Sequence, residues 1–133
     1  MTLLQKQSEL IERYSLIEDR HERLNAIISF KLADRQLAAE ERRDEWLVRG
    51  CSSQVWLRVQ VAENRMEVRY AADSVMIRGL VALLVELYHG ADIADARDFH
   101  PTLLEALGLD KILSPTRLHG LERVIQTFRA HVD

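Results

Sequence analysis

The sequence predicts an α+β fold: a three-stranded antiparallel sheet packed against helices, with a helical arm on its N-terminal side. Two patterns carry that expectation. Apolar residues recur at helical spacing toward both ends, whereas in a central stretch they alternate with polar ones. Helical and strand segments are also grouped rather than interleaved, which is the order of an α+β fold and not of a parallel α/β sheet. At 133 residues and 47% hydrophobic, the chain is expected to bury one core as a single domain without disulfides or metals. The expected divisions are an arm over 1–45, the sheet over 46–73 and helices over 74–133.

Thr2 with Gln5 forms a capping box, and Leu3, Leu10, Ile11, Tyr14 and Ile17 follow at helical spacing. A first helix is expected to reach Glu18. Asp19 with Glu22 repeats the capping logic, and Leu24, Ile27, Ile28 and Leu32 mark the stripe of a second helix. The charge-rich stretch from Ala38 to Glu45 reads as a solvated face or connector and is assigned no function.

From Trp46 the period changes. Val55, Leu57, Val59 and Val61 alternate with Trp56, Arg58 and Gln60, and Met66, Val68 and Tyr70 alternate again after Glu63-Asn64-Arg65. This predicts an antiparallel hairpin with one buried face. Trp46-Leu47-Val48 is expected to add a third strand, so that Gly50-Cys51-Ser52-Ser53 is a turn with Cys51 at its tip. Trp56, on the opposite face, is expected to pack under the N-terminal helices or to cover the cysteine loop.

Ser74 is placed to cap a largely apolar helix that stops at Gly90. Pro101 is expected to open a short helix through Leu104, with a stop at Gly108. Ser114-Pro115 provides a cap and first-turn proline for a last helix carrying Leu118, Leu121, Ile125, Phe128 and Val132.

Composition narrows the function. A net charge of −3, from 18 basic and 21 acidic residues, lacks the basic excess that phosphate backbones select, so no nucleic-acid partner is expected. Lys6, Lys31 and Lys111 are the only lysines, few candidates for Schiff-base chemistry. No apolar run reaches bilayer length and the opening residues lack a signal peptide's apolar core; a cytoplasmic protein with no membrane partner is expected. The five histidines show no metal spacing, and one thiol cannot assemble a zinc or iron–sulfur site unaided.

Cys51 is the single cysteine. Free cysteines are among the most buried residues, so composition alone favours an inert core thiol. Gly50 permits positive φ, and Ser52 and Ser53 bring hydroxyls and loop N–H groups able to support a thiolate, the nucleophile of sulfur exchange, but these neighbours alone do not overturn that reading.

The run Val48-Arg49-Gly50-Cys51-Ser52-Ser53-Gln54-Val55-Trp56-Leu57 resembles the V-x-G-C-x-S-x-V-W-L signature of the SufE family of sulfur acceptors. Ala72-Asp73-Ser74-Val75-Met76-Ile77-Arg78-Gly79-Leu80 is similar to the family's A-D-S-D-A-x-I-V-x-G-L run. Leu107-Gly108-Leu109 and Leu113-Ser114-Pro115-Thr116-Arg117-Leu118-His119-Gly120-Leu121 resemble its L-G-L and L-S-P-x-R-x-x-G-L elements. The chain departs from the pattern at Val75, where the family has a second aspartate, and around Leu37-Ala38-Ala39, where a leucine-proline element is missing.

The resemblance implies a SufE/IscU-like sandwich in which Cys51 takes sulfur as a persulfide from a SufS-like, pyridoxal-phosphate cysteine desulfurase. It implies that Cys51 stimulates that enzyme and passes sulfur to an iron–sulfur scaffold complex. No cofactor of its own is expected; the coenzyme belongs to the partner. Arg117, in the S-P-x-R element, is either a support for the thiolate or one half of a surface ion pair. Gly50 and Ser53 shape the loop, while Asp73 and Ser74 are either loop ligands or simply an N-cap. The resting thiol is expected to be tucked against the apolar face made by Leu57, Val59 and the central helix until docking draws the loop out. Two rival readings are an adaptor that binds a desulfurase without carrying sulfur, and a cysteine hydrolase using His119 or His100 as base.

Overall fold

In the computed structural model, which describes residues 1–30 and 33–132, two helices precede a β-hairpin and four more helices follow it. Helix α1 (Leu3–Ser15) begins at Thr2, whose hydroxyl accepts from the Gln5 N–H at 3.1 Å while the Gln5 carboxamide oxygen accepts from the Thr2 N–H at 2.9 Å. This reciprocal pair satisfies two donors that a helix start leaves unpaired. The helix ends at Ser15 rather than Glu18, and Asp19 then caps α2 (Arg20–Ser29) by accepting from the Glu22 N–H at 3.1 Å. Leu32, expected to extend the stripe of α2, lies outside the described residues.

These two helices do not stand apart as an arm. Leu3, Leu10, Tyr14, Leu24 and Ile27 join the same core as the hairpin and the later helices. Short amphipathic helices gain most of their stability from burying that stripe, so they are held in the body of the domain.

Strands β1 (Val55–Ala62) and β2 (Arg65–Ala72) pair antiparallel from Val55 opposite Ala72 to Ala62 opposite Arg65. Glu63 and Asn64 join them with φ of 53° and 64°, the two left-handed residues of a type I′ turn that matches the twist of paired strands.

The expected third strand is not formed, and the sheet has two strands among the described residues. Trp46 belongs to a 3-10 turn, Asp44–Trp46, closed by the Leu47 N–H on the Asp44 carbonyl. That turn leaves only Leu47 and Val48 extended. Leu47 makes one isolated bridge to Trp56, and the Val48 N–H donates to the Val55 carbonyl at 2.8 Å. A parallel bridge from Gln36 to Tyr70 covers the other edge of the hairpin.

The hairpin also buries more than one face. Val55, Leu57, Met66, Val68, Tyr70 and Ala72 enter the main core, while Trp56 and Ala71, on the other side, form a second small cluster with Leu37 under Trp46 and Leu47. The charge-rich connector makes this possible by lying across that face. The Arg42 guanidinium sits 5.3 Å from the Trp56 ring centre, and Glu41 pairs with Arg69 at 3.1 Å.

Helix α3 (Val75–Tyr88) is the centre of the core, with Ser74 accepting from the Ile77 N–H as its cap. Helix α4 (Ile93–Arg97), capped by Asp92, escapes the sequence pattern because one turn is too short to show a period. Helix α5 (Leu103–Ala106) starts after Thr102, leaving Pro101 outside it. Helix α6 (Pro115–Ala130) begins at Ser114, whose hydroxyl accepts from the Arg117 N–H at 3.2 Å. No helix among the described residues is long and apolar enough to cross a membrane.

Gly79 sets the distance between α2 and α3. A Cβ there would lie 2.5 Å from the Ile28 Cα and 2.7 Å from the Ile27 carbonyl oxygen, both backbone atoms that cannot swing aside. Gly79→Ala is therefore expected to lower the unfolding free energy by roughly 1–3 kcal/mol, although replacing a helical glycine normally helps. Urea denaturation checks this; a midpoint at or above that of the wild type would mean that the two helices can separate without loss.

Candidate functional site

Cys51 lies in the loop 49–54, whose neck is closed by the Val48–Val55 hydrogen bond and the Leu47–Trp56 bridge. The loop runs back over α6. Gly50 has φ of 89°, which disfavours any side chain, and a Cβ there would come within 3.1 Å of the Arg123 side chain. Glycine serves here for both its conformation and the closeness of its neighbour.

The half-buried Cys51 thiol donates a hydrogen bond to the Gly120 carbonyl, with an Sγ to oxygen distance of 3.4 Å. Gly120 is itself buried, and a Cβ on it would stand 3.5 Å from Sγ. Around this contact is a small recess of about 10 Å³, lined by Cys51, Ser52, Ser53, Val55, Ile77, Thr116, Arg117, Gly120, Leu121 and Val124. Its walls are mostly apolar, and its floor is the start of α6.

Burial pushes the Cys51 thiol up from its ordinary pKa, and the positive charge of Arg123 pulls in the other direction. Arg123, which the sequence did not single out, is thus a cation whose charge acts on the thiol. Arg117 is exposed and lines the recess nearer the start of α6 than Arg123. Arg123 donates through Nε to the Arg49 carbonyl at 3.0 Å and through Nη1 to Gln126 Oε1 at 2.8 Å. It carried no sequence signal because it lies outside the resembling elements; only the packing of α6 against the loop brings it near.

The other predicted residues divide. Gly50 and Ser53 are part of the cysteine loop, and Ser53 lines the recess. Ser74 is the N-cap of α3. Asp73 holds the far end of the loop through its backbone, its N–H donating to the Gln54 carbonyl at 3.1 Å, while its carboxylate pairs with Arg42 at 3.7 Å. Val75, at the site of the family's aspartate, is 61% exposed. Neither His100 nor His119 lines the recess; His100 instead lies 3.2 Å from Arg129 Nη1. Among the described residues no group of three or more His, Cys, Asp or Glu is placed to hold a metal ion.

Chemically, such an arrangement keeps one thiol protonated and sheltered at rest, yet beside a cation that favours its anion. Fold and site together define an α+β domain that presents a single cysteine from a loop tethered to a helix. A similar fold is seen in the solution structure of a hypothetical protein from Thermus thermophilus, with a TM-score of 0.75, 17% identity, and coverage of 96% of this chain and 93% of that one. The family model described as "SufE: Fe-S metabolism associated domain" matches residues 8–132, and the chain belongs to the SufE family. It is accordingly an accessory protein of iron–sulfur metabolism, from a family that functions with the Fe–S assembly machinery.

The raised thiol pKa gives a pH dependence with a definite sign. The folded state holds the thiol proton more tightly than the unfolded chain does. Burial therefore contributes stability below the ordinary thiol pKa of about 8.5 and loses it as pH rises toward the folded value. Alkylation of native Cys51 by iodoacetamide is expected to be slower at neutral pH than in the urea-unfolded chain and to show its inflection at higher pH. Coincident profiles in buffer and urea would show a thiol that is neither buried nor shielded.

Proposed function

We propose that Cys51 carries sulfur as a persulfide between a SufS-like cysteine desulfurase and an Fe–S scaffold complex. The observation that carries this reading is the sole thiol of a SufE-family chain, held on a loop over an apolar recess with room for about one water-sized atom. That is the scale of a single added sulfur.

In the transfer, the Cys51 thiolate attacks the outer sulfur of the donor's persulfide. The donor's S–S bond breaks, a new one forms at Cys51, and the donor leaves as a thiolate; the persulfide moves with no net oxidation or reduction. Removing the persulfide from the donor frees it for its next cycle, so the desulfurase is stimulated. Pyridoxal phosphate serves the donor's chemistry, and this chain works as a cofactor-free carrier in the cytoplasm. In the closed loop, the walls made by Val55, Ile77, Leu121 and Val124 limit the access of reductants to the bound sulfur.

Incubation with a desulfurase and free cysteine is expected to add the mass of sulfur to Cys51 and to raise sulfide release under reducing conditions. Cys51→Ser is expected to abolish both effects while still binding the enzyme. If Cys51→Ser stimulates the desulfurase as well as the wild type does, the chain is an adaptor and the relay reading fails.

A further inference from the structure

Helix α6 touches the cysteine loop at two points on one face. Gly120 receives the thiol hydrogen bond, and Arg123, three residues on and therefore on the same side of the helix, binds the backbone beside it. Gln126, a further three residues along, accepts from the Arg123 guanidinium and fixes its direction. The stem of Arg123 meanwhile lies against Gly50, where a Cβ would be 3.1 Å from its Cγ.

A charged donor on a main-chain carbonyl is among the stronger hydrogen bonds available to an exposed loop. Its acceptor, Arg49, is two residues before Cys51, so the loop cannot swing outward while that bond stands. Val48 and Val55 pin the neck. Among the described residues, the hydrogen bonds from α6 that hold the tip are then the weak one from the thiol to Gly120 and the charge-assisted one from Arg123.

We propose that Arg123 is a positioning residue for sulfur transfer: a clasp that keeps the Cys51 loop closed on α6 and shields the thiol, or the sulfur it carries, until the loop is drawn out. The role in transfer rests on the relay reading, but the clasp itself is a property of the chain alone. A persulfide is more acidic than a thiol, so the loaded loop bears a negative charge facing the same guanidinium and is held more firmly than the empty one.

Two substitutions separate the charge from the stem. R123M keeps an apolar stem over Gly50 without a donor, and R123K keeps a cationic donor. Iodoacetamide labelling of the empty native chain is expected to be about three- to tenfold faster in R123M than in the wild type, the effect of losing one hydrogen bond whose exposed groups water takes over. R123K is expected to be slower than R123M.

The loaded form is tested with a persulfide made chemically on Cys51 and exposed to dithiothreitol. The outer sulfur leaves as hydrosulfide, Cys51 returns to a thiol, and the dithiol is oxidised to its disulfide. Sulfide release is expected to be faster in R123M by a larger factor than the alkylation. Low urea is expected to leave the labelling rates unchanged, as local opening requires; global unfolding would make them climb with denaturant.

R123M as slow as the wild type in both reactions, R123K as fast as R123M, or a steep urea dependence would each overturn the clasp. Because labelling needs no desulfurase, a broken clasp and a failed relay give separate results.

Discussion

The burial of α3 dictates where the other elements pack. From Ile77 to Tyr88 nearly every residue of this helix is withdrawn from water. A helix apolar on most of its surface has to be enclosed on all sides. The hairpin covers one side, α1 and α2 cover another, and α6 closes a third. At Gly79 the enclosure tightens until the α2 backbone fills the space that a side chain would take. The position of α6 follows from this packing, and the position of α6 decides what the cysteine loop can touch.

At the site, two opposed effects act on one thiol. Apolar walls favour the neutral form, while Arg123 favours the anion. Burial is the larger of the two, so the closed loop keeps sulfur chemistry subdued. An apolar cover suits a carrier better than a permanently exposed thiolate, because reactivity then depends on opening and not only on pH. The same helix that shelters the thiol through Gly120 also restrains it through Arg123, so opening the loop has to break both contacts.

The connector between α2 and β1 shows how charge can serve packing. Residues 38–45 are polar enough to suggest a solvated link, yet Arg42 stacks on Trp56 while pairing with Asp73, and Glu41 pairs with Arg69. Long charged side chains cover apolar surface with their stems and rings with their guanidinium planes. That cover is why Trp56 is buried although it faces away from the main core. It also explains the lost third strand: the turn at Asp44–Trp46 carries the connector over the hairpin face and ties the backbone N–H of Trp46, which a longer ladder would need, to the Arg43 carbonyl.

Elements whose causes are local can be read from the chain alone. The capping box at Thr2 and Gln5, the caps at Asp19, Ser74 and Ser114, the alternation of the hairpin and the unusual Gly50-Cys51 loop are all interactions among residues near one another in the chain, and they were legible there. Membership of the SufE family was legible for the same reason, as short runs of fixed spacing. The remaining features arise from long-range packing. The approach of Arg123 to Cys51, the turning of the thiol onto Gly120, the cover over Trp56 and the inclusion of the first two helices in the core depend on which surfaces meet. Those meetings join residues far apart in the chain, such as Cys51 and Gly120, 69 positions from each other, and no local spacing encodes them.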